Sequence, residues 1–203
     1  MKKPLLLLLL IPVVAAIAVP TKMLLHVDTF KIDTKASKIE WEAEKATGKH
    51  SGTITIASGD IANNHGQLGG KVVLDMTSIA VTDLQGEKKG KLESHLKSED
   101  FFSVDKFPTA TFEIASVAPR SGVSAGEPNF NVTGKLTIKG ISNDLTFPAI
   151  IRFEGKKMTA KADVKVNRTK YDIKYGSKTF IEDIGDKAIA DEFLIKFDIV
   201  ANV

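Results

Sequence analysis

Apolar and polar residues alternate along most of the chain beyond residue 26, and this period of two is typical of β-strands with one buried face. In the clearest segment, Phe130 to Ile138, asparagine, threonine and lysine residues separate the apolar positions and Gly134. Three later segments predict further antiparallel strands. Their apolar members are Leu145, Phe147, Ala149, Ile151 and Phe153, then Met158, Ala160, Ala162, Val164 and Val166, and finally Phe193, Ile195, Phe197, Ile199 and Ala201.

The first half of the chain is less regular but follows the same period. Its alternating apolar positions are Ile39, Trp41 and Ala43, then Ile54 and Ile56, then Val72, Leu74 and Met76, and then Phe112 and Ile114. The chain therefore carries about eight strands, enough to close a sheet and remove its edges. We expect an all-β fold, an extended antiparallel β-barrel formed by residues 27–203 as one domain.

Two segments interrupt the alternation. Leu92 and Leu96, like Glu93 and Lys97, have the i,i+4 spacing of a helix, so a short helical insertion is predicted near residues 86–98. Residues 167–191 form a long connection that contains Tyr171, Tyr175 and Phe180. Loops of this length are often functional or act as lids.

Alternation alone does not tell whether the apolar face points inward or outward. A barrel of the outer-membrane type would show aromatic girdles and short turns at one end. This chain has one Trp and two Tyr, and a long insertion separates the strands that end near Met76 and start near Thr109. We therefore expect the apolar face to line the interior.

The N-terminus has the composition of a secretory signal. Lys2 and Lys3 precede an apolar run from Leu5 to Val19, and we expect cleavage after Ala18, with an uncleaved anchor as the alternative. Residues 1–18 are thus predicted to be a signal peptide, residues 19–26 a linker, and the mature protein periplasmic or secreted. The chain has no Cys to carry a lipid anchor or a disulfide.

Charge and candidate chemistry narrow the function further. Loss of residues 1–18 removes two of the 28 basic residues and leaves 26 against 25 acidic ones, so a nucleic-acid partner is not expected. The four histidines, at positions 26, 50, 65 and 95, lack the spacing of a metal site. Neither a nucleophile motif nor a carboxylate pair stands out, and we predict no catalytic residue, metal or cofactor.

Three segments carry a resemblance to a known family. They are SHLKSEDFFSVDKFPTATF from Ser94 to Phe112, TGKHSGTITI from Thr47 to Ile56, and VTGKLTIKG from Val132 to Gly140. Together they resemble the YceI-like family of periplasmic lipid- and polyisoprenoid-binding proteins, over roughly residues 27–202. The resemblance implies a lipocalin-like barrel whose apolar lumen holds a long isoprenoid chain.

On this resemblance the candidate ligand-binding residues are the large apolar side chains expected to face inward. For each of them ordinary core packing is the alternative, and Gly134 either opens interior space or receives a bulky neighbour such as Trp41. Phe101, Phe102 and Phe107 are expected to seal one end. The candidate lining is Trp41, Phe112, Ile114, Phe130, Leu136, Phe147, Phe153, Met158 and Phe197.

Three polar residues in or near matching motifs, His50, His95 and Arg168, are candidates for contact with a ligand head group. The alternative is structural: the histidines cap turns or pin the helical segment, and Arg168 forms an ion pair.

The first functional hypothesis is a non-enzymatic carrier or store for a polyprenyl lipid or isoprenoid quinone, working near a membrane. Burial of a five-carbon isoprene unit yields up to about 4 kcal/mol, so several units offset association costs of about 4–15 kcal/mol. The second hypothesis is a solid-cored exported barrel that acts in stress tolerance, in adhesion or as a redox partner.

Overall fold

The computed structural model describes residues 27–203. The predicted signal peptide at residues 1–18, the predicted linker at residues 19–26 and His26 lie outside the described residues. Within residues 27–203, no helix has the length and apolar character needed to span a membrane.

The described residues form nine strand segments and one α-helix, with short 3₁₀ turns at Arg168–Tyr171 and Gly185–Lys187. In chain order they are β1 (Val27–Ile32), β2 (Lys38–Lys45), β3 (Gly48–Asn64), β4 (Gln67–Val81), α1 (Gly86–Lys97), β5 (Thr109–Pro119), β6 (Phe130–Ile138), β7 (Ile141–Glu154), β8 (Lys157–Asn167) and β9 (Ile189–Asn202).

The strands form a closed antiparallel barrel. Each strand from β2 to β9 pairs with the next one along the chain, and β9 pairs with β2 to complete the ring. β1 lies between β3 and β9 beyond the end of β2, so β1 and β2 together fill one position of the barrel. The predicted eight-stranded barrel is therefore confirmed, with one strand split into two segments.

A turn at Asp33 explains the split. The Asp33 carboxylate accepts hydrogen bonds from the backbone N–H groups of Lys35 and Ala36, at 3.0 Å each. The Asp33 N–H donates to Val200 O, and the Ser37 N–H donates to Asp33 O. Such an Asx turn satisfies the backbone locally and breaks the run of strand pairing.

Burial follows the predicted alternation, and the apolar face points inward. In β8, Met158, Val164 and Val166 are buried, whereas Lys161 and Lys165 between them are exposed. The long strands make the barrel extended: β3 has 17 residues and β4 has 15, against a typical length of about 5–6.

The two ends of the barrel are built differently. The helix end carries α1, the segment 98–108, the turn at 139–140 and the long connection 168–188, whereas the hairpin end carries the turns at 65–66 and 155–156 and the loop 120–129. Glu93 anchors α1 to the barrel, because its carboxylate accepts the backbone N–H of Val81 at 2.8 Å. The predicted helical insertion is thus confirmed and covers one end.

Candidate functional site

The barrel encloses an apolar lumen of about 160 Å³. Side chains from all eight strands β2 to β9, together with Phe102 at the helix end, line it. Every one of these lining residues of the described chain is hydrophobic. A cavity of this character offers burial but no hydrogen bond, so it suits a hydrocarbon chain rather than a polar molecule.

Six of the nine candidate lining residues lie in the wall of this lumen. Three of them form a chain of rings across it: the Phe147 ring lies 5.5 Å from that of Phe112 and 5.7 Å from that of Phe197. Because β5, β7 and β9 are not neighbours in the sheet, these contacts cross the interior. The six residues are Phe112, Ile114, Leu136, Phe147, Met158 and Phe197.

The other three candidates lie elsewhere. Phe130 is half-buried and packs against the core without lining the lumen. Phe153, near the end of β7, is 41% exposed at the hairpin end, where its ring lies 5.6 Å from that of Phe30. Trp41 lines a second cavity at the helix end.

Gly134 makes room for a ring, but the ring belongs to Phe112 rather than Trp41. A Cβ at Gly134 would lie 2.5 Å from the Phe112 ring and 2.4 Å from Glu113 O. Trp41 instead covers Gly52, its direct cross-strand partner. The close-packing alternative for Gly134 therefore describes the structure.

The second cavity, which we call the end cavity, has a volume of about 60 Å³ and lies next to the lumen. The two share Ile54, Ile195, Phe102 and Phe193 as wall residues. The rings of Phe102 and Phe193 meet edge to face with their centroids 6.5 Å apart. These two rings therefore stand at the boundary between the end cavity and the lumen.

The phenylalanines of the segment 98–108 lie at the helix end, in agreement with the expected seal. Phe101 is buried and lines the end cavity. Phe107 lies over Gly140, where a Cβ would be 3.2 Å from its ring.

His95 packs between aromatic rings. Its centroid lies 4.9 Å from that of Phe101 and 4.6 Å from that of Tyr175, and its Nδ1 is 4.0 Å from the Asp100 carboxylate. These contacts join α1 to the connection 168–188. They favour the structural alternative, in which His95 pins the helix to the barrel.

His50 is paired with Asp83 at the rim of the helix end. Its Nδ1 lies 2.8 Å from Asp83 Oδ2, while Asp83 Oδ1 accepts the Ser51 N–H at 3.0 Å. Burial works to raise the pKa of Asp83, but the hydrogen bonds from the Ser51 amide and from His50 outweigh it and hold that pKa below its ordinary value. The pair ties the start of β3 to the segment that follows β4.

Arg168 is 3% exposed, and its guanidinium donates hydrogen bonds to four backbone carbonyls. Its Nε donates to Ala190 O, and its two Nη atoms donate to the carbonyls of Ile173, Tyr175 and Ile189, all within 2.8–3.0 Å. Nη2 also lies 3.5 Å from Asp191 Oδ1. Burial lowers the pKa of Arg168, and the Asp191 charge partly offsets this.

All five N–H groups of Arg168 therefore face an oxygen of the protein. The arrangement holds the connection 168–188 against the start of β9, and the contacts favour the structural role over contact with a head group. Among residues 27–203, no cluster of three or more His, Cys, Asp or Glu could hold a metal ion.

Several wall residues were not among the candidates. Small residues such as Ala149 and Ala160 and aliphatic ones such as Leu68 line the lumen beside the larger rings. The alternation places Ala149 and Ala160 on the inward face, but the candidate set contains only larger side chains. Phe193 belongs to the alternating apolar face of the last strand, but its position at the cavity boundary depends on Phe102, far away in the chain. The pairing of Asp83 with His50 has no local signal in the sequence.

Fold and lumen together define a closed antiparallel barrel with a hydrophobic interior, the architecture that lipocalins also use. The chain belongs to the YceI-like family, since the model of the YceI-like domain matches residues 30–201. The resemblance seen in the sequence motifs is thereby confirmed.

Curated relatives match over part of their length. A UPF0312 protein of Azotobacter vinelandii is 33% identical over 86 residues, which are 42% of this chain and 40% of the relative. The UPF0312 protein SAB2563 of Staphylococcus aureus is 32% identical over 109 residues, 50% of this chain and 58% of the relative. The matched segments thus span about half the length of these relatives.

Two solved structures share the fold. BcnA of Burkholderia cenocepacia superposes with a TM-score of 0.65 at 24% identity, covering 84% of this chain and 99% of that one. A polyisoprenoid binding domain from Saccharophagus degradans, implicated in plant cell wall breakdown, superposes with a TM-score of 0.63 at 15% identity, covering 88% and 99%. At these identities the likeness shows the fold alone.

Proposed function

We propose that this protein is exported and binds an isoprenoid lipid in its lumen, as a carrier or store rather than as an enzyme. The observation that carries the proposal is the lumen wall, which consists of hydrophobic side chains from every strand of the ring. Membership of the YceI-like family and the fold shared with a polyisoprenoid binding domain support it.

The size of the lumen bears on the length of the tail. A cavity of about 150 Å³ lined by Leu, Ile and Phe binds benzene, a molecule of six carbons. The lumen, at about 160 Å³, thus accepts roughly one five-carbon isoprene unit as it stands. A longer tail requires the rings of Phe112, Phe147 and Phe197 to turn aside.

The energy balance allows this rearrangement. Forcing side chains off their preferred rotamers costs about 1–3 kcal/mol, whereas each further isoprene unit yields up to about 4 kcal/mol on burial. Affinity is therefore expected to rise with tail length until the barrel is filled. The rings of Phe112, Phe147 and Phe197, which contact one another across the lumen, also support the second hypothesis, because they fill part of the interior. That hypothesis is a solid-cored exported barrel without a lipid ligand.

The test is lipid extraction and mass spectrometry of protein purified without detergent, for wild type and two matched variants. Ala160→Phe adds a ring inside the lumen, and Ala118→Phe adds the same ring on the exposed face of β5. Wild type and Ala118→Phe are expected to carry a stoichiometric prenyl lipid. Ala160→Phe is expected to carry at least about tenfold less prenyl lipid, because its ring takes the space of one isoprene unit.

A denaturation curve shows whether Ala160→Phe is folded, and the smaller Ala160→Leu serves if it is not. Wild-type protein that is free of lipid and refuses added prenyl lipid would establish the solid-cored alternative. The mass of the purified protein tests export separately, since cleavage after Ala18 removes residues 1–18.

A further inference from the structure

The indole N–H of Trp41 has no hydrogen-bond partner among the described residues. The side chain is 94% buried, with a relative exposure of 6%, and Nε1 itself is out of contact with solvent. A buried donor without an acceptor costs folding free energy, so such groups are rare in native proteins and call for an explanation.

The surroundings of Trp41 indicate what is missing. Trp41 lies in the wall of the end cavity, held in place by Gly52, whose added Cβ would lie 2.5 Å from the indole ring. The other polar side chain in that wall is Arg168, and its N–H groups already face protein oxygens. The remaining wall residues are hydrophobic.

This wall is a poor place for water. A buried water normally makes two to four hydrogen bonds, and among the wall side chains the Trp41 N–H is the one donor left over. An acceptor that is covalently attached to a buried hydrocarbon chain needs only one hydrogen bond, because the chain supplies the rest of the binding free energy.

We propose that the end cavity is a head-group subsite, in which Trp41 Nε1–H donates to a neutral oxygen of the lipid. The tail would extend from there past Phe102 and Phe193 into the lumen, toward the hairpin end. This inference rests on the proposed function. It selects neutral acceptors, such as a hydroxyl, an ether oxygen or a quinone carbonyl, over phosphate. At about 60 Å³ the end cavity holds the acceptor oxygen and its nearest carbons, and the ring of a quinone requires Phe102 and Phe193 to turn aside.

The selection against phosphate follows from charge. An anionic group taken into an apolar cavity requires a counter-charge and several donors to replace its hydration. Arg168 is the charged residue in the wall of the end cavity, and it can reach a phosphate only by giving up carbonyls of the connection 168–188.

The test uses three probes that share a two-isoprene tail and differ in the end group. The first ends in a benzoquinone, the second in a phenyl ring and the third in a monophosphate. Their affinities are measured by calorimetry for wild type, Trp41→Phe and Tyr175→Phe. Tyr175→Phe is the matched control, because it also removes one donor at the helix end but lies outside the walls of both cavities. Trp41 is also the one tryptophan of the chain, so its fluorescence reports directly on a quinone placed beside it.

Wild type and Tyr175→Phe are expected to bind the quinone about tenfold more tightly than the phenyl probe, as one hydrogen bond to a buried donor allows. Trp41→Phe is expected to bind these two probes equally, and the quinone is expected to quench wild-type fluorescence. Equal quinone-to-phenyl ratios in wild type and Trp41→Phe, or phosphate bound as tightly as the quinone, would overturn the subsite. Failure of all three probes to bind wild type would instead overturn the proposed function itself.

Discussion

Replacement of Arg168 by Met decides whether this residue serves the fold or a ligand. The guanidinium is 3% exposed and donates to four backbone carbonyls that belong to the connection 168–188 and the start of β9. Met keeps a side chain of similar length and apolar stem but has no N–H to donate. The carbonyls and the Asp191 carboxylate would then lose their shared donor.

The expected loss of stability is large. Hydrogen bonds to a charged group contribute about 1.5–3 kcal/mol each, though not additively. Removing one partner of a buried charged network costs about 3–5 kcal/mol. We take the latter as the expected loss for Arg168→Met. For a domain of this size each kcal/mol lowers Tm by about 2–4 °C, so Tm should fall by roughly 6–20 °C.

Chemical denaturation and hydrogen exchange measure this effect. Lys174→Met is the control. It removes a cation from the same connection, but the ion pair of Lys174 with Asp172 is exposed to solvent. The loss of folding stability in this variant should stay within about 1 kcal/mol. Exchange protection should be lost first in residues 168–191. An Arg168→Met protein that is as stable as wild type but binds prenyl lipid more weakly would refute the structural role and restore the head-group role.

Two further predictions concern the scaffold. The pKa of Asp83 is depressed in the folded state, so this carboxylate stabilises the protein above about pH 4 and loses that contribution as the pH falls through its folded-state pKa. Asp83→Asn should therefore be less stable than wild type at pH 7, and this difference in stability should shrink as the pH falls through the folded-state pKa of Asp83. A stability difference that denaturation curves show to be independent of pH would contradict this. Gly134→Ala should lose about 1–3 kcal/mol of folding stability by overpacking against Glu113 O and the Phe112 ring. Gly90→Ala, exposed in α1 with open space around it, should gain up to about 1 kcal/mol of folding stability. Equal stabilities of these two alanine variants would contradict the overpacking expected at Gly134.

The strand pattern was predictable from the sequence because side-chain alternation is a local property of extended backbone. The alternating segment from Phe130 to Ile138 is β6 with its predicted bounds, and the helical spacing of Leu92 and Leu96 lies within α1. The turn at Asp33 was missed. It splits one strand position into β1 and β2 without changing the number of positions in the barrel.

The site was predictable only in part. Alternation tells which face a residue occupies but not its height along the barrel axis, because height depends on the register of all the strands together. Phe147 and Phe153 lie on the same face of β7, yet the first lines the lumen and the second is exposed at the hairpin end.

What the sequence by itself determined is a closed sheet with a hydrophobic interior. Its period and strand number predict closure, and its few Trp and Tyr residues and its long insertion indicate an inward apolar face, all without knowledge of long-range contacts. The tertiary structure alone decided which polar groups have partners. Arg168 finds its acceptors in residues 173–191, and Trp41 meets Gly52 and the end cavity through strand pairing and the docking of α1. A hydrogen bond requires a donor–acceptor distance of about 3 Å to within a few tenths of an ångström, and only the folded chain brings remote segments together that accurately.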